Sequence, residues 1–264
     1  MCGEIVNWRE WSAFFQDRAN RPLPRAERDE LYLRLPASLS RSLAIFQLGE
    51  SGGGTIIEQA RHSDLGGIDE HFVNAMRLFV REENRHADIL ARCVEMLGGR
   101  LIRKNWTARL FVASRRLLGL RMKVMVLLAA ELVGLCYYHL LASAMPPCQI
   151  RTLLSELVSD ERAHLRFHCC FLNAQTRSTW RRVIFVMAWR TTIVVAAAAV
   201  LLDHRPAIRD LGIDAGVIWR RWVLYGRLAE RLVKGTDLSD GSADLQPFLM
   251  CEADSVGHHG QYEP

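Results

Sequence analysis

At 264 residues, half of them hydrophobic and 24% charged, the chain suits one well-cored soluble domain with additions. Its net charge of +5 is carried almost wholly by arginine, the lysines being Lys104, Lys123 and Lys234 alone, and no zinc finger, basic block or strand-and-aromatic platform points to nucleic acid. Seven cysteines, none in a C-x-x-C pair and most in apolar runs, argue against a disulfide framework and for a reducing, cytoplasmic compartment.

Residues 1–36 open without a basic-then-apolar signal and carry Trp8, Trp11, Phe14 and Phe15. A short helical pattern from Arg25 to Leu35, closed by Pro36, completes an amphipathic lead-in packed on the helices after it. Ser38 or Ser40 is placed to cap a helix running to about His62, although Gly52-Gly53-Gly54 interrupts it at about 1 kcal/mol per glycine. A second helix is expected from about Asp69 to Leu97, stopped by Gly98-Gly99. Residues 100–120 alternate between basic and apolar, a third helix covers 121–145, and a fourth about 149–173. Nothing alternates with a strand's period, so the fold class is all-α.

Beyond these, 183–202 is apolar for long enough to span a bilayer. Arg190 near its middle and its small residues favour a fifth helix buried against the others over a membrane span. A C-terminal helix is expected from about Asp214 to Lys234, within a 204–235 segment. The tail 236–264, rich in Asp, Ser, Gly and His, reads as disordered.

Two tetrapeptides organise the middle of the chain: Glu83-Asn84-Arg85-His86 and Glu161-Arg162-Ala163-His164. Residues three apart share a helix face, so each aims a carboxylate and an imidazole at one place. Each is preceded by a lone Glu on an earlier helix. Glu131 sits in a run apolar on almost every face, where a bare carboxylate costs several kcal/mol or more. The midpoint between Glu131 and Glu161 is Pro146-Pro147, and that between Glu50 and Glu83 is Gly66-Gly67, both turn signals. The lone and paired acids therefore return to one height on two equal-armed hairpins. Glu58 is an alternative to Glu50, but its midpoint with Glu83, Glu70-His71, is a poorer turn.

Glu, Glu-x-x-His, Glu and Glu-x-x-His on four helices make up the ligand set of di-iron and di-manganese bundles. On these residues the chain resembles the ferritin-like di-iron carboxylate superfamily from about Ser38 to Phe171. The resemblance implies a ferritin-like four-helix bundle in residues 37–203, with extra N- and C-terminal helices. It implies two irons, with manganese as the alternative, on Glu50, Glu83, His86, Glu131, Glu161 and His164. Four carboxylates suit hard redox metals better than zinc. It also implies that Glu82 and Asp160 orient the two histidines from across the bundle. Gly53 and Gly134, three residues after the lone acids, are expected to leave space for O₂ and substrate. His168 and Tyr138, on the ligand faces, are candidates for proton or electron transfer, with packing as the plainer role.

Within the superfamily, Leu90 stands where a radical tyrosine would be, no C-x-x-C supplies a rubredoxin-type site, and Gly134 replaces a further rubrerythrin Glu. The second complete Glu-x-x-His separates the chain from storage ferritins. The resemblance implies an O₂-dependent oxidase or oxygenase acting on a small organic or carrier-bound acyl substrate. It also implies an external electron donor, and the mildly basic surface suits an acidic reductase, ferredoxin or acyl carrier. A homodimer is left open. The alternatives are a non-catalytic iron-handling or peroxide-scavenging protein, and a membrane-associated quinone hydroxylase anchored by 183–202.

Overall fold

The computed structural model describes residues 6–25, 32, 35–51, 55–117 and 119–235. Most of the Arg25–Leu35 pattern, Gly53 with its two neighbouring glycines, and the tail after Gly235 lie outside them. The described residues are all-α, without a strand.

Two long hairpins frame the molecule. The first pairs α2 (Ala37–Glu50) with α4 (Glu70–Met96), the second α6 (Leu120–Ala144) with α7 (Gln149–Gln175). Helix α4 begins where Asp69 accepts a hydrogen bond from the Phe72 N–H at 2.8 Å, which satisfies one of the free first-turn donors. It ends at Gly98, whose φ of +68° favours glycine, while the Gly99 N–H reaches back to the Val94 carbonyl. A Cβ on Gly99 would overlap Ser40 Oγ, so this turn lies directly against α2.

Contacts along α4 and α7 run in opposite senses: Phe72 meets Phe171, Phe79 meets Phe167, and His86 meets Asp160. The two Glu-x-x-His turns therefore face each other from antiparallel helices. Helix α6 is apolar around its circumference because it is enclosed, with α7 and α10 (Ala215–Val233) against it. Helix α5 (Trp106–Leu117) connects the hairpins, and α1 (Trp8–Arg18) lies along α4, burying Trp8 and Phe15 in the core.

Two boundaries and the burial of one helix differ from expectation. The N-cap of α2 is Pro36; Ser40 is buried inside the helix, and Ser38 hydrogen-bonds Asp210 at 2.8 Å. The helix stops at Glu50, where Ser51 is extended, and a separate α3 (Thr55–Arg61) comes next, so the glycine run separates two helices. Helix α8 (Thr179–Asp203) is the expected fifth helix but is not buried: 22% of its most apolar window is covered, against 83% for α6. It is held on one side by α10, where Trp189 donates to the Gly226 carbonyl and Arg190 pairs with Glu230 at 2.9 Å. Trp180, Met187, Val194 and Leu202 point away from the protein. Both α6 and α8 are long and apolar enough to cross a membrane. A short α9 (Arg205–Asp210) turns the chain between α8 and α10.

Candidate metal centre

The two Glu-x-x-His turns bring Glu83, His86, Glu161 and His164 together, one ligand atom of each lying within 4.8 Å of the others. Glu131 joins from α6, its Oε2 3.7 Å from His164 Nδ1. Glu50, the last residue of α2, accepts a hydrogen bond from Tyr138 at 3.0 Å and is close enough to Glu83, Glu161 and Glu131 to be repelled by them. All six residues singled out in the sequence thus converge. Five are buried and Glu50 is half-buried; Glu58 lies on the surface, paired with Arg61.

Around this group sits a second layer of acids. His86 Nε2 donates to Asp160 at 3.2 Å, and His164 Nε2 donates to Glu82 at 3.0 Å. Each acid precedes a motif Glu and reaches the histidine of the opposite helix. This holds the ring protons on Nε2 and turns both Nδ1 atoms toward the cluster. Glu82 and Asp160 are in turn bound by Arg18 and Arg21: Arg18 Nε lies 3.0 Å from Glu82, and Arg21 Nη2 2.7 Å from Asp160. The two arginines offset the two outer acids, while the inner carboxylates Glu83, Glu131 and Glu161 face the histidines. Arg18 and Arg21 were invisible to sequence reasoning. They lie more than sixty residues from the acids, and only tertiary contact brings them over 82 and 160.

Protons fill the inner cluster when no cation is there. Burial alone would lower His86, but Asp160, Glu161 and Glu83 outweigh it and push it up to about 10. His164 is raised in the same way, burial being outweighed by Glu131, Glu161, Glu82 and Glu83. Burial and the neighbouring carboxylates raise Glu50 and Glu161, while Glu131, although buried, is held low by Glu161, His164 and His168. His86, His164 and Glu161 thus hold their protons strongly in the metal-free cluster. Divalent cations would bring positive charge to the same place. Glu83 Oε1, His86 Nδ1 and Glu161 Oε1 are buried and meet only ionic partners inside the cluster, Glu83 Oε1 2.9 Å from His164 Nδ1 and His86 Nδ1 3.3 Å from Glu161 Oε1. Their contacts lie between the two motifs, where a cation would draw on the same atoms. The donor set of four carboxylates and two imidazoles fits hard divalent metals of the iron and manganese kind.

Comparison with protein-family models, curated proteins and solved structures finds no match. The chemistry of the cluster is accordingly read from its own residues.

His168, one turn beyond His164, is fully buried with its Nε2 3.6 Å from Glu131. An aromatic wall of Phe15 and Phe79 closes over the histidines, Phe79 meeting both His164 and His168 edge-on at 4.8 Å. The space expected at Gly134 is filled. A Cβ there would meet the Tyr138 ring at 3.4 Å, because Tyr138 folds back along α6 to reach Glu50. The opening lies at Gly49 instead, where a Cβ would meet nothing within 4 Å. Gly49 lines a cavity of about 90 Å³ together with Glu50, Glu83, Lys123 and Glu131. Gly53, the other glycine of the Glu-x-x-Gly spacing, lies outside the described residues.

Proposed function

We propose that this protein is a di-iron carboxylate oxidase or oxygenase with a ferritin-like arrangement of α2, α4, α6 and α7, using O₂ to oxidise a small organic or acyl substrate. The observation that carries the reading is the convergence of Glu50, Glu83, His86, Glu131, Glu161 and His164 in the core. Those six residues would hold the metals, and a bound iron pair would supply the redox chemistry with O₂. Glu82 and Asp160 keep both histidines in the tautomer that offers Nδ1. The histidines they face, with Arg18 and Arg21 behind, keep those two acids ionised. The Phe15 and Phe79 rings exclude water. His168, whose Nε2 faces Glu131 and has no hydrogen-bond partner, is placed to take or give a proton at that atom.

Metal analysis and Mössbauer spectroscopy of protein loaded with ferrous iron without air test this reading. About two irons per chain are expected, and His86→Ala or His164→Ala should lose iron and the O₂-dependent absorbance. Full loading in both variants would reject the site.

The outward apolar face of α8 favours one variant of this reading, a membrane-associated hydroxylase. Arg177, Arg181 and Arg182 at one end of that helix, and Arg205 and Arg209 just past the other, suit anionic headgroups. Co-sedimentation with phosphatidylserine-containing vesicles distinguishes this variant from a freely soluble enzyme.

A further inference from the structure

A second cavity, of about 350 Å³, lies between α2, α5, α6 and α8. Its size falls within the roughly 300–1,000 Å³ of small-molecule sites. Its wall is largely apolar, with Phe46, Phe111, Val126, Val195 and Val200 among the lining side chains. Thr107, Thr191 and Thr192 also line it, but their hydroxyls are satisfied by the protein: Thr191 and Thr192 by the Met187 and Ala188 carbonyls at 3.1 and 2.8 Å, Thr107 by Asp203 at 2.5 Å. Two polar groups with remaining capacity are left, Glu50 and His204. Glu50 and Gly49 line the smaller cavity beside the cluster as well, so the two spaces share a wall there.

His204 sits at the junction of α8 and α9 and is 2% exposed. Its Nδ1 lies 2.8 Å from Ser42 Oγ, which lies 2.7 Å from the Tyr137 hydroxyl. Each hydroxyl has one proton to place. If Tyr137 donates to Ser42 and Ser42 to Nδ1, both are used. The reverse order strands the Tyr137 proton in the core. The satisfied order puts the imidazole proton on Nε2, which has no hydrogen-bond partner among the described residues. Burial lowers His204 to about 4 against the pull of Asp203, so the ring is neutral at ordinary pH.

We propose that this cavity binds a molecule with an apolar body and a carbonyl-type oxygen, held through His204 Nε2–H, with the body running along α2 toward Glu50. Ser42, which orients His204, and Glu50 are eight residues apart on α2, or about 12 Å at 1.5 Å per residue. The position reaching the cluster lies about that far from the held oxygen. What happens at the inner end rests on the proposed metal centre; binding itself does not.

Butyrophenone and butylbenzene, which share a carbon skeleton and differ by one carbonyl, are suitable probes. Titration calorimetry on the full-length protein, metal-free and iron-loaded without air, should show both binding and the ketone binding about five-fold tighter, as one neutral hydrogen bond gives. His204→Phe should erase that preference and keep butylbenzene. Ala199→Phe, at a half-buried position of α8 on the cavity wall, should abolish binding of both with iron content unchanged. Should His204→Phe fail to fold, the wild-type preference and Ala199→Phe still decide. Equal affinities in the wild type, or undiminished binding by Ala199→Phe, overturn the proposal. Loss of iron in the wild type with probe binding intact would instead count against the metal centre alone.

Discussion

At the scale of single residues, Gly134 separates two uses of a small side chain. The Tyr138 ring lies where any side chain longer than a Cβ on Gly134 would go, and that ring carries the hydroxyl bonded to Glu50. Gly134→Ala adds one methyl in ordinary contact at 3.4 Å and removes the glycine penalty of about 1 kcal/mol in a helix interior. It should therefore keep full iron content with an unchanged or slightly raised melting temperature. Gly134→Leu must push Tyr138 aside, free Glu50 and lower iron content. Iron per chain and melting temperature of the two variants check this. Equal behaviour of both would mean that Tyr138 does not hold Glu50. The histidines emerge from pattern alone, because Glu and His three apart on a helix have no choice but to share a face. Which ring fills the gap at Gly134 depends on a side chain's rotamer, and spacing does not encode rotamers.

Among the elements, α1 and α8 do work that helical periodicity does not predict. Helix α1 reads as a greasy lead-in, yet Arg18 at its last turn and Arg21 just beyond bind Glu82 and Asp160, and Phe15 covers His164. Removing partners from the outer acids typically costs 10–100-fold in metal affinity. Arg18→Gln combined with Arg21→Gln should weaken iron binding by roughly that factor in a chelator competition, with all six ligands intact. Undiminished affinity would show that the arginines only pack the lead-in. Helix α8 departs from expectation in the opposite direction. An apolar run of its length suits a buried helix or a membrane, and the structure leaves most of it uncovered. Met187→Glu with Val194→Glu changes exposed positions, so stability should move by no more than about 0.5 kcal/mol per site. The same variant should lose any vesicle binding shown by the wild type. A large fall in melting temperature would mean that this face is covered in solution.

For the whole molecule, metal and protons compete for one cavity in the core. His86 is raised from 6.5 to about 10, so its charged form stabilises the metal-free fold fully below 6.5, and that stability is lost as pH rises toward 10. His164 and Glu161, also raised, push in the same direction. The outer acid Glu82, lowered to about 2, acts oppositely, and its contribution disappears only as pH falls from 4.5 toward 2. Metal-free protein should therefore melt at progressively lower temperature from pH 6.5 to 9, and metal loading should flatten that slope. Loading two divalent ions near pH 7 should release up to three protons, from His86, His164 and Glu161, measurable by calorimetry in buffers of different ionisation heat. Release of less than one proton would mean that the cluster is not charged as described.

The all-α class, the two hairpins and the six converging residues were legible in the sequence by itself. Helical period and turn position are local properties: the continuous arms α6 and α7 about Pro146-Pro147 return Glu131 and Glu161 to one height, whereas Glu50 arrives from an arm broken between α2 and α3. The acids beside each motif Glu were legible too, because adjacency on one helix and antiparallel packing of two place them across from the histidines. Only the tertiary structure decided what lies outside that repeat. It set the end of α2 at Glu50, the arginines that α1 and the residues after it lay over the outer acids, the ring beside Gly134, the bare face of α8, and the two cavities that share Gly49 as wall. Each of these depends on which surfaces meet over long sequence separations, and a local period holds no information about that.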